Sequence, residues 1–151
     1  MSDHPATKTS SVKRQIAEKV EVVNTFLASE KRVKFAYLFG SVAAGNSGPL
    51  SDIDIAVFLD RRLDFFTCRL QLMEALARAL KSENFDLVIL NNAPIVLAHQ
   101  VISDGIVLKD DRQRRVMFES RVLREYLDTA HLREVQFSYL REQIKRGDFF
   151  G

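Results

Sequence analysis

Asp52 and Asp54 are the residues of this chain whose type and spacing point most directly to chemistry. They open the run Asp52-Ile53-Asp54-Ile55-Ala56-Val57-Phe58-Leu59. Within a strand, residues two apart face the same side, so the two carboxylates lie together while Ile53, Ile55 and Val57 face the core. Paired carboxylates on an apolar strand repel each other and lose hydration unless a positive charge sits between them. A divalent cation meets that need, and hard oxygen ligands favour magnesium or manganese. The plain alternative is a strand end with two solvated aspartates. Gly40-Ser41 follows the apolar run Phe35-Ala36-Tyr37-Leu38-Phe39. Gly40 allows a phosphate close to the backbone, and Ser41 could start a short helix whose free N–H groups and hydroxyl suit an anion. An ordinary strand-to-turn Gly-Ser is the competing reading.

These residues need elements to position them. Met1 to Ser11 reads as a flexible polar tail. Val12, Ile16, Val20, Val23 and Leu27 then recur at helical spacing, with Ser10 or Ser11 as N-cap. Strands are expected over Lys34–Phe39, Asp52–Leu59, Phe85–Leu90 and Ile106–Lys109. An amphipathic helix should cover Asp64–Lys81, carrying Phe65, Phe66, Leu70, Met73, Leu76, Ala77 and Leu80. Asn91, Asn92 and Pro94 mark a turn before a short helix ending near Ser103, and Asp104-Gly105 marks another turn. Residues 112–146 lack Pro and Gly and read as one long helix or two stacked ones. Their apolar stripe includes Val116, Leu123, Leu127, Ala130, Phe137 and Ile144. The expectation is an α/β fold with a small mixed sheet. Its parts are a tail over 1–11, a core over 12–110 and a helical segment over 111–151 packed on that core.

Taken together, Gly40-Ser41, ten residues, then Asp52-Ile53-Asp54, with Tyr37-Leu38-Phe39 before and Ile55-Ala56-Val57 after, resembles the signature of the polymerase-beta-like nucleotidyltransferases. In that superfamily a third carboxylate comes from a neighbouring strand, and the resemblance assigns it to Asp86 in Phe85-Asp86-Leu87-Val88-Ile89-Leu90. Glu83 is the nearest rival, in a polar turn. The resemblance implies two magnesium ions held by Asp52, Asp54 and Asp86, ATP as substrate, and outer phosphates on Gly40 and Ser41. It also implies that Asp86 orients and deprotonates an acceptor hydroxyl. So short a chain is similar to the minimal nucleotidyltransferases, written MNT, that accompany HEPN ribonuclease toxins. That likeness implies an antitoxin transferring AMP to a toxin tyrosine, with the C-terminal helix as a docking surface; core packing is the simpler reading of its apolar stripe. A small-molecule transferase of the aminoglycoside type and an antitoxin acting by contact alone are the alternatives. Many members carry an arginine just after the Gly-Ser, where this chain has Val42, Ala43 and Ala44. Arg61 or Arg62 is expected to replace it.

Composition narrows the classes further. The chain has 151 residues, enough for one domain, and a formal net charge of +2. That balance argues against a dedicated nucleic-acid binder. From Lys109 onward, ten Lys/Arg face eight Asp/Glu. The single cysteine, Cys68, excludes an internal disulfide and a Cys-based metal site, and reads as a core thiol. No apolar run spans a bilayer and no secretory leader is evident, so a cytoplasmic protein is expected. His4, His99 and His131 lack metal-ligand spacing and receive no role. Tyr126 and Tyr139 fit an interface or self-modification equally. Association with a second copy is left open.

Overall fold

The protein is described from a computed structural model covering residues 5–45 and 52–147. Of the small, Gly-containing stretch Gly40–Ser51, residues 46–51 with Pro49 lie outside the described residues, as do Met1–His4 and the last four residues. The elements run α1 (Pro5–Ser29), β1 (Val33–Phe39), α2 (Gly40–Ala43), β2 (Ile53–Leu59), α3 (Phe65–Leu80), β3 (Phe85–Ile89), α4 (Ile95–Asp104), β4 (Ile106–Lys109), α5 (Arg112–Asp128) and α6 (Ala130–Arg146). A single 3-10 turn, Leu90–Asn92, links β3 to α4.

The four strands form one mixed sheet in the order β3-β2-β1-β4. β1 pairs antiparallel with β2 and with β4, whereas β2 and β3 are parallel. Parallel strands need a crossover, and α3 supplies it. Each face of the sheet is covered. On one side Ala36, Leu38, Ile55, Val57 and Leu87 pack with Val23 and Leu27 of α1 and Leu72 and Leu76 of α3. On the other, Phe35, Tyr37, Ala56 and Phe58 pack with Ala98 and Val101 of α4 and Phe118 and Val122 of α5. Burial on both faces explains why β1 from Phe35 and β2 from Ile55 run without charged residues rather than alternating. Phe35 stacks on Phe58 with ring centroids 4.7 Å apart.

Side chains tie off the element ends. Asp111 caps α5 by accepting from the Arg114 backbone N–H. Lys109 Nζ donates to the carbonyls of Leu27 and Glu30 at 2.8 and 2.9 Å, holding the end of α1. Asn91 bridges the buried Leu59 from beside the sheet, accepting its N–H at 2.8 Å and donating to its carbonyl at 2.9 Å.

Three expectations need correction. Pro5–Ser11 is helical, so seven of the eleven residues of the expected tail belong to α1, and Ser10 and Ser11 lie inside it rather than capping it. Pro fits a first helical turn, where its missing N–H has no partner to lose. The C-terminal segment is two helices meeting at Thr129, one of the two expected forms, but only α5 packs on the core. α6 has no buried residue, and Leu127, Phe137 and Ile144 are 70%, 63% and 61% exposed. The stripe expected to be core therefore faces outward. Sequence periodicity identified an apolar side but carried no information on what would cover it. Third, Phe66 and Leu70 of α3 are exposed, because Cys68, Leu72 and Leu76 take the buried face.

Tyr126 anchors the α5–α6 junction. His99 of α4 stacks on one side of its ring at 3.6 Å, and the Arg133 guanidinium lies 3.8 Å over the ring. Arg133 also donates to the Tyr126 carbonyl and the Thr129 hydroxyl. Tyr126, one of two tyrosines left unassigned by the sequence, thus has a structural job.

Candidate active site

The site is assembled by strand register. Antiparallel pairing sets Phe39 beside Asp54, which brings the end of β1, and therefore Gly40, to the beginning of β2. Parallel pairing sets Asp54 beside Asp86. Both aspartates face the α4 and α5 side, because their neighbours Ile53, Ile55, Phe85 and Leu87 are claimed by the opposite core. Asp52 lies one residue before β2 and is exposed. The acids singled out in the sequence thus gather at one end of the sheet, with Asp54 the deepest of them.

Gly40, at the end of β1, comes close to the Asp54 carboxylate. It has φ +76°, and a Cβ added there would lie 2.1 Å from Asp54 Oδ2. The sequence reading made Gly40 a place for phosphate; here its missing side chain also makes room for the Asp54 carboxylate. Ser41 follows in the single turn of α2, half-buried, where the first N–H groups of a helix have no partner inside it.

The electrostatics favour a cation. The Asp54 carboxyl is pushed above the usual carboxylate range, first by burial and then by the charges of Asp86 and Asp52. A divalent ion would relieve both repulsions. Among the described residues, no three His, Cys, Asp or Glu side chains close a cage around an ion unaided. The donors instead form an open carboxylate rim. Such a rim fits magnesium, which is commonly held by one or two carboxylates together with substrate phosphates.

Arg69 is the basic residue beside this rim, and the sequence reading missed it. From α3 it donates through Nε to the Leu87 carbonyl at 3.0 Å and places Nη2 3.9 Å from Asp86 Oδ1. Its signal was a cation one helical turn after Phe65 on a helix leading to β3. Arg61 and Arg62, expected near the phosphates, are at the other end of β2. They line a separate cavity of about 430 Å³ with Lys34, Arg114 and Met117. Seven strand residues separate them from Asp52, so closeness in sequence misled. Glu83, the rival to Asp86, is exposed and lies two residues before the register that pairs β3 with β2.

Behind the site, the Tyr37 hydroxyl donates to Glu119, which also receives Arg115 at 3.1 Å. Burial and that acid push the Tyr37 phenol well up, so it stays neutral and joins α5 to β1.

A mixed sheet with a Gly-Ser turn and paired aspartates at one end is the framework of a nucleotidyltransferase. The polymerase beta nucleotidyltransferase family matches residues 21–114, and the chain belongs to that family. The matched stretch runs from within α1 to the first turn of α5 and includes every acid of the site.

Among individual proteins, the chain is 38% identical over 95 residues to the protein adenylyltransferase MntA of Shewanella oneidensis, spanning 63% of this chain and 67% of the relative. It also resembles solved toxin–antitoxin complexes. One contains AMP-PNP (TM-score 0.65, 29% identity, covering 85% of this chain and 98% of that one). Another holds the tri-AMPylated Shewanella oneidensis HEPN toxin with its MNT antitoxin (TM-score 0.64, 28% identity, 84% and 98% covered). Among the described residues, no helix is long and apolar enough to cross a membrane.

Proposed function

We propose that this protein is a magnesium-dependent protein adenylyltransferase that moves AMP from ATP to a tyrosine hydroxyl of a HEPN-type toxin and thereby acts as its antitoxin. The observation carrying this reading is the register that sets Asp54 beside Asp86 and against Gly40. The likeness to an adenylyltransferase and to toxin–antitoxin complexes supports the choice of substrate and partner.

In this reading Asp52 and Asp54, with Asp86, hold magnesium, and Gly40 and Ser41 receive the outer phosphates of ATP. Bound magnesium supplies Lewis-acid stabilisation of charge on the triphosphate. Asp86, the most accessible end of the β2–β3 pair, orients the acceptor hydroxyl and takes its proton. The hydroxyl oxygen forms a bond to the α phosphorus as the bond to pyrophosphate breaks. Arg69 steadies Asp86 from the side away from Asp54. The added phosphodiester places negative charge on the toxin, which alters any site that binds RNA.

The test is mass spectrometry of a HEPN toxin incubated with this protein, ATP and magnesium. A gain of one AMP on a tyrosine is expected, lost in the folded Asp52→Ala/Asp54→Ala variant. Labelling retained by that variant would overturn the site. A second reading, neutralisation by contact alone, draws on the uncovered apolar residues of α6, including Leu132, Phe137 and Ile144. Full neutralisation by the double variant would favour it. The aminoglycoside-type reading would instead require transfer to a drug such as kanamycin.

A further inference from the structure

The far end of β2 from the acids carries a second concentration of charge, of the opposite sign. Lys34 of β1, Arg61 and Arg62 of the turn after β2, and Arg114 of the first turn of α5 converge on the cavity of about 430 Å³. Leu59, at its wall, is five strand residues beyond Asp54, or about 17 Å. Phe58, Leu59 and Met117 give the cavity an apolar floor. Arg61 and Met117 also border an adjoining cavity of about 330 Å³ along α5, where Arg121 and Arg124 lie.

We propose that this cleft is a second, non-catalytic nucleotide site, which holds a nucleoside polyphosphate by its phosphates without a metal ion. It stands apart from the adenylyl-transfer site and does not depend on that reading.

Four observations carry it. The charge is local: four cations face two carboxylates, Asp60 and Asp111, an excess as large as that of the whole chain. The cations also share one point. Asp60 is held below the usual carboxylate range, first by the Arg62 backbone N–H and then by the charges of Lys34, Arg62 and Arg114. The two acids leave much of this charge unanswered. Asp111 takes Arg114, and Asp60 reaches Lys34 only at 3.8 Å. Among the described residues, the Arg61 and Arg62 side chains make no ion pair or hydrogen bond. Guanidinium forks match phosphate oxygens, and fixed cations of this kind do the neutralising that magnesium does beside carboxylates. Last, the shape suits a small molecule. Cations from three elements point into one hollow of ligand size, whereas a nucleic-acid strand needs them drawn out along a face. The floor leads under Met117 toward Arg121 and Arg124, which gives a base an apolar seat and guanidinium planes to stack on. That seat favours a nucleotide over a bare phosphate chain.

The experiment is calorimetry on the full chain in EDTA, with ATP, inorganic tripolyphosphate and a short single-stranded RNA as separate probes. The parent should bind ATP with a Kd of about 0.1 mM or tighter, more weakly as salt is raised. Asp52→Ala/Asp54→Ala should bind it within about twofold of the parent, because the acids lie at the other end of the strand. Arg61→Gln/Arg62→Gln should bind it about tenfold more weakly. Both arginines are exposed, so this variant should keep the parent's thermal unfolding; if it does not fold, Arg114→Gln is read in the same way. No ATP binding without magnesium overturns the site, and so does binding that the arginine variant leaves unchanged. Binding lost in the aspartate variant assigns the nucleotide to the catalytic end and overturns the separate cleft. Tripolyphosphate binding as tightly as ATP overturns the seat for a base. RNA binding more tightly than ATP overturns the small-molecule class.

Discussion

Replacing Gly40 by alanine should damage catalysis far more than stability, and Gly45 provides the matched control. Both glycines have a positive φ, +76° and +75°. An L-residue in that region costs roughly 1–2 kcal/mol. The surroundings differ. Among the described residues a Cβ at Gly45 meets nothing within 4 Å, whereas at Gly40 it lies 2.1 Å from Asp54 Oδ2 and 3.1 Å from its Cγ. An unstrained carbon–oxygen contact is about 3.3 Å, so the Asp54 carboxylate must retreat by about 1.2 Å. A displacement of that size at a reacting centre costs on the order of 100-fold in rate. Gly45→Ala should therefore lower Tm by roughly 2–8 °C at a domain of this size and leave transfer intact. Gly40→Ala should show a similar or slightly larger fall in Tm together with about 100-fold slower AMP transfer. Thermal unfolding and single-turnover transfer from labelled ATP, run on both variants well below their Tm, separate the two effects. Gly40→Ala turning over within about threefold of the parent would refute the claim that Asp54 depends on the absence of a side chain at residue 40. Equal losses in the two variants would assign the effect to backbone strain.

Other outcomes follow from the same contacts. Asn91→Ala strips two hydrogen bonds from Leu59, whose backbone is fully buried, and should cost about 2–3 kcal/mol in urea unfolding while kcat at low temperature stays near the parent's. A loss below about 0.5 kcal/mol would mean that water replaces the amide. Lys109→Met removes the cation holding the end of α1 and should cost about 1–2 kcal/mol, read as increased hydrogen exchange at the last turn of α1. Leu72→Ala, in the core under β2, should cost about 2–5 kcal/mol by denaturant titration. Phe137→Glu should leave Tm within about 2 °C, because the ring is exposed, while weakening capture of a HEPN toxin in a pull-down if α6 is its docking face.

The central part of the molecule was readable because its residues obey strong local rules. β2 announces itself by two acids followed by an apolar run, and α3 by its helical periodicity. Asp52 and Asp54 stood out by their spacing on an apolar run, whereas Asp86 was reached only through the family resemblance; the parallel register then sets it beside Asp54. Arg69 could not be named in advance, because its role depends on wrapping around the edge of β3, and edge position is a property of sheet order. Arg61 and Arg62 show the opposite error: neighbours in sequence are carried the length of a strand away from the acids. α6 defeated the reading for another reason. Its apolar side chains follow the pattern of a buried helix, yet nothing among the described residues covers them. The seven helical residues ahead of Val12 were missed because polar residues can continue a helix whose stability comes from packing further along.

The parallel register of β2 and β3 makes the greasy residues into the gauge of the machine. Phe85, Leu87 and Ile89 all belong to the core on the α1 and α3 side. Sliding β3 by a single position would turn those three toward the α4 side and drive Asp86 into the core beneath α1 and α3. Aliphatic bulk that never meets ATP thereby keeps the carboxylates in step. A repacked Leu87 would be felt first as misaligned chemistry, before the protein lost its shape.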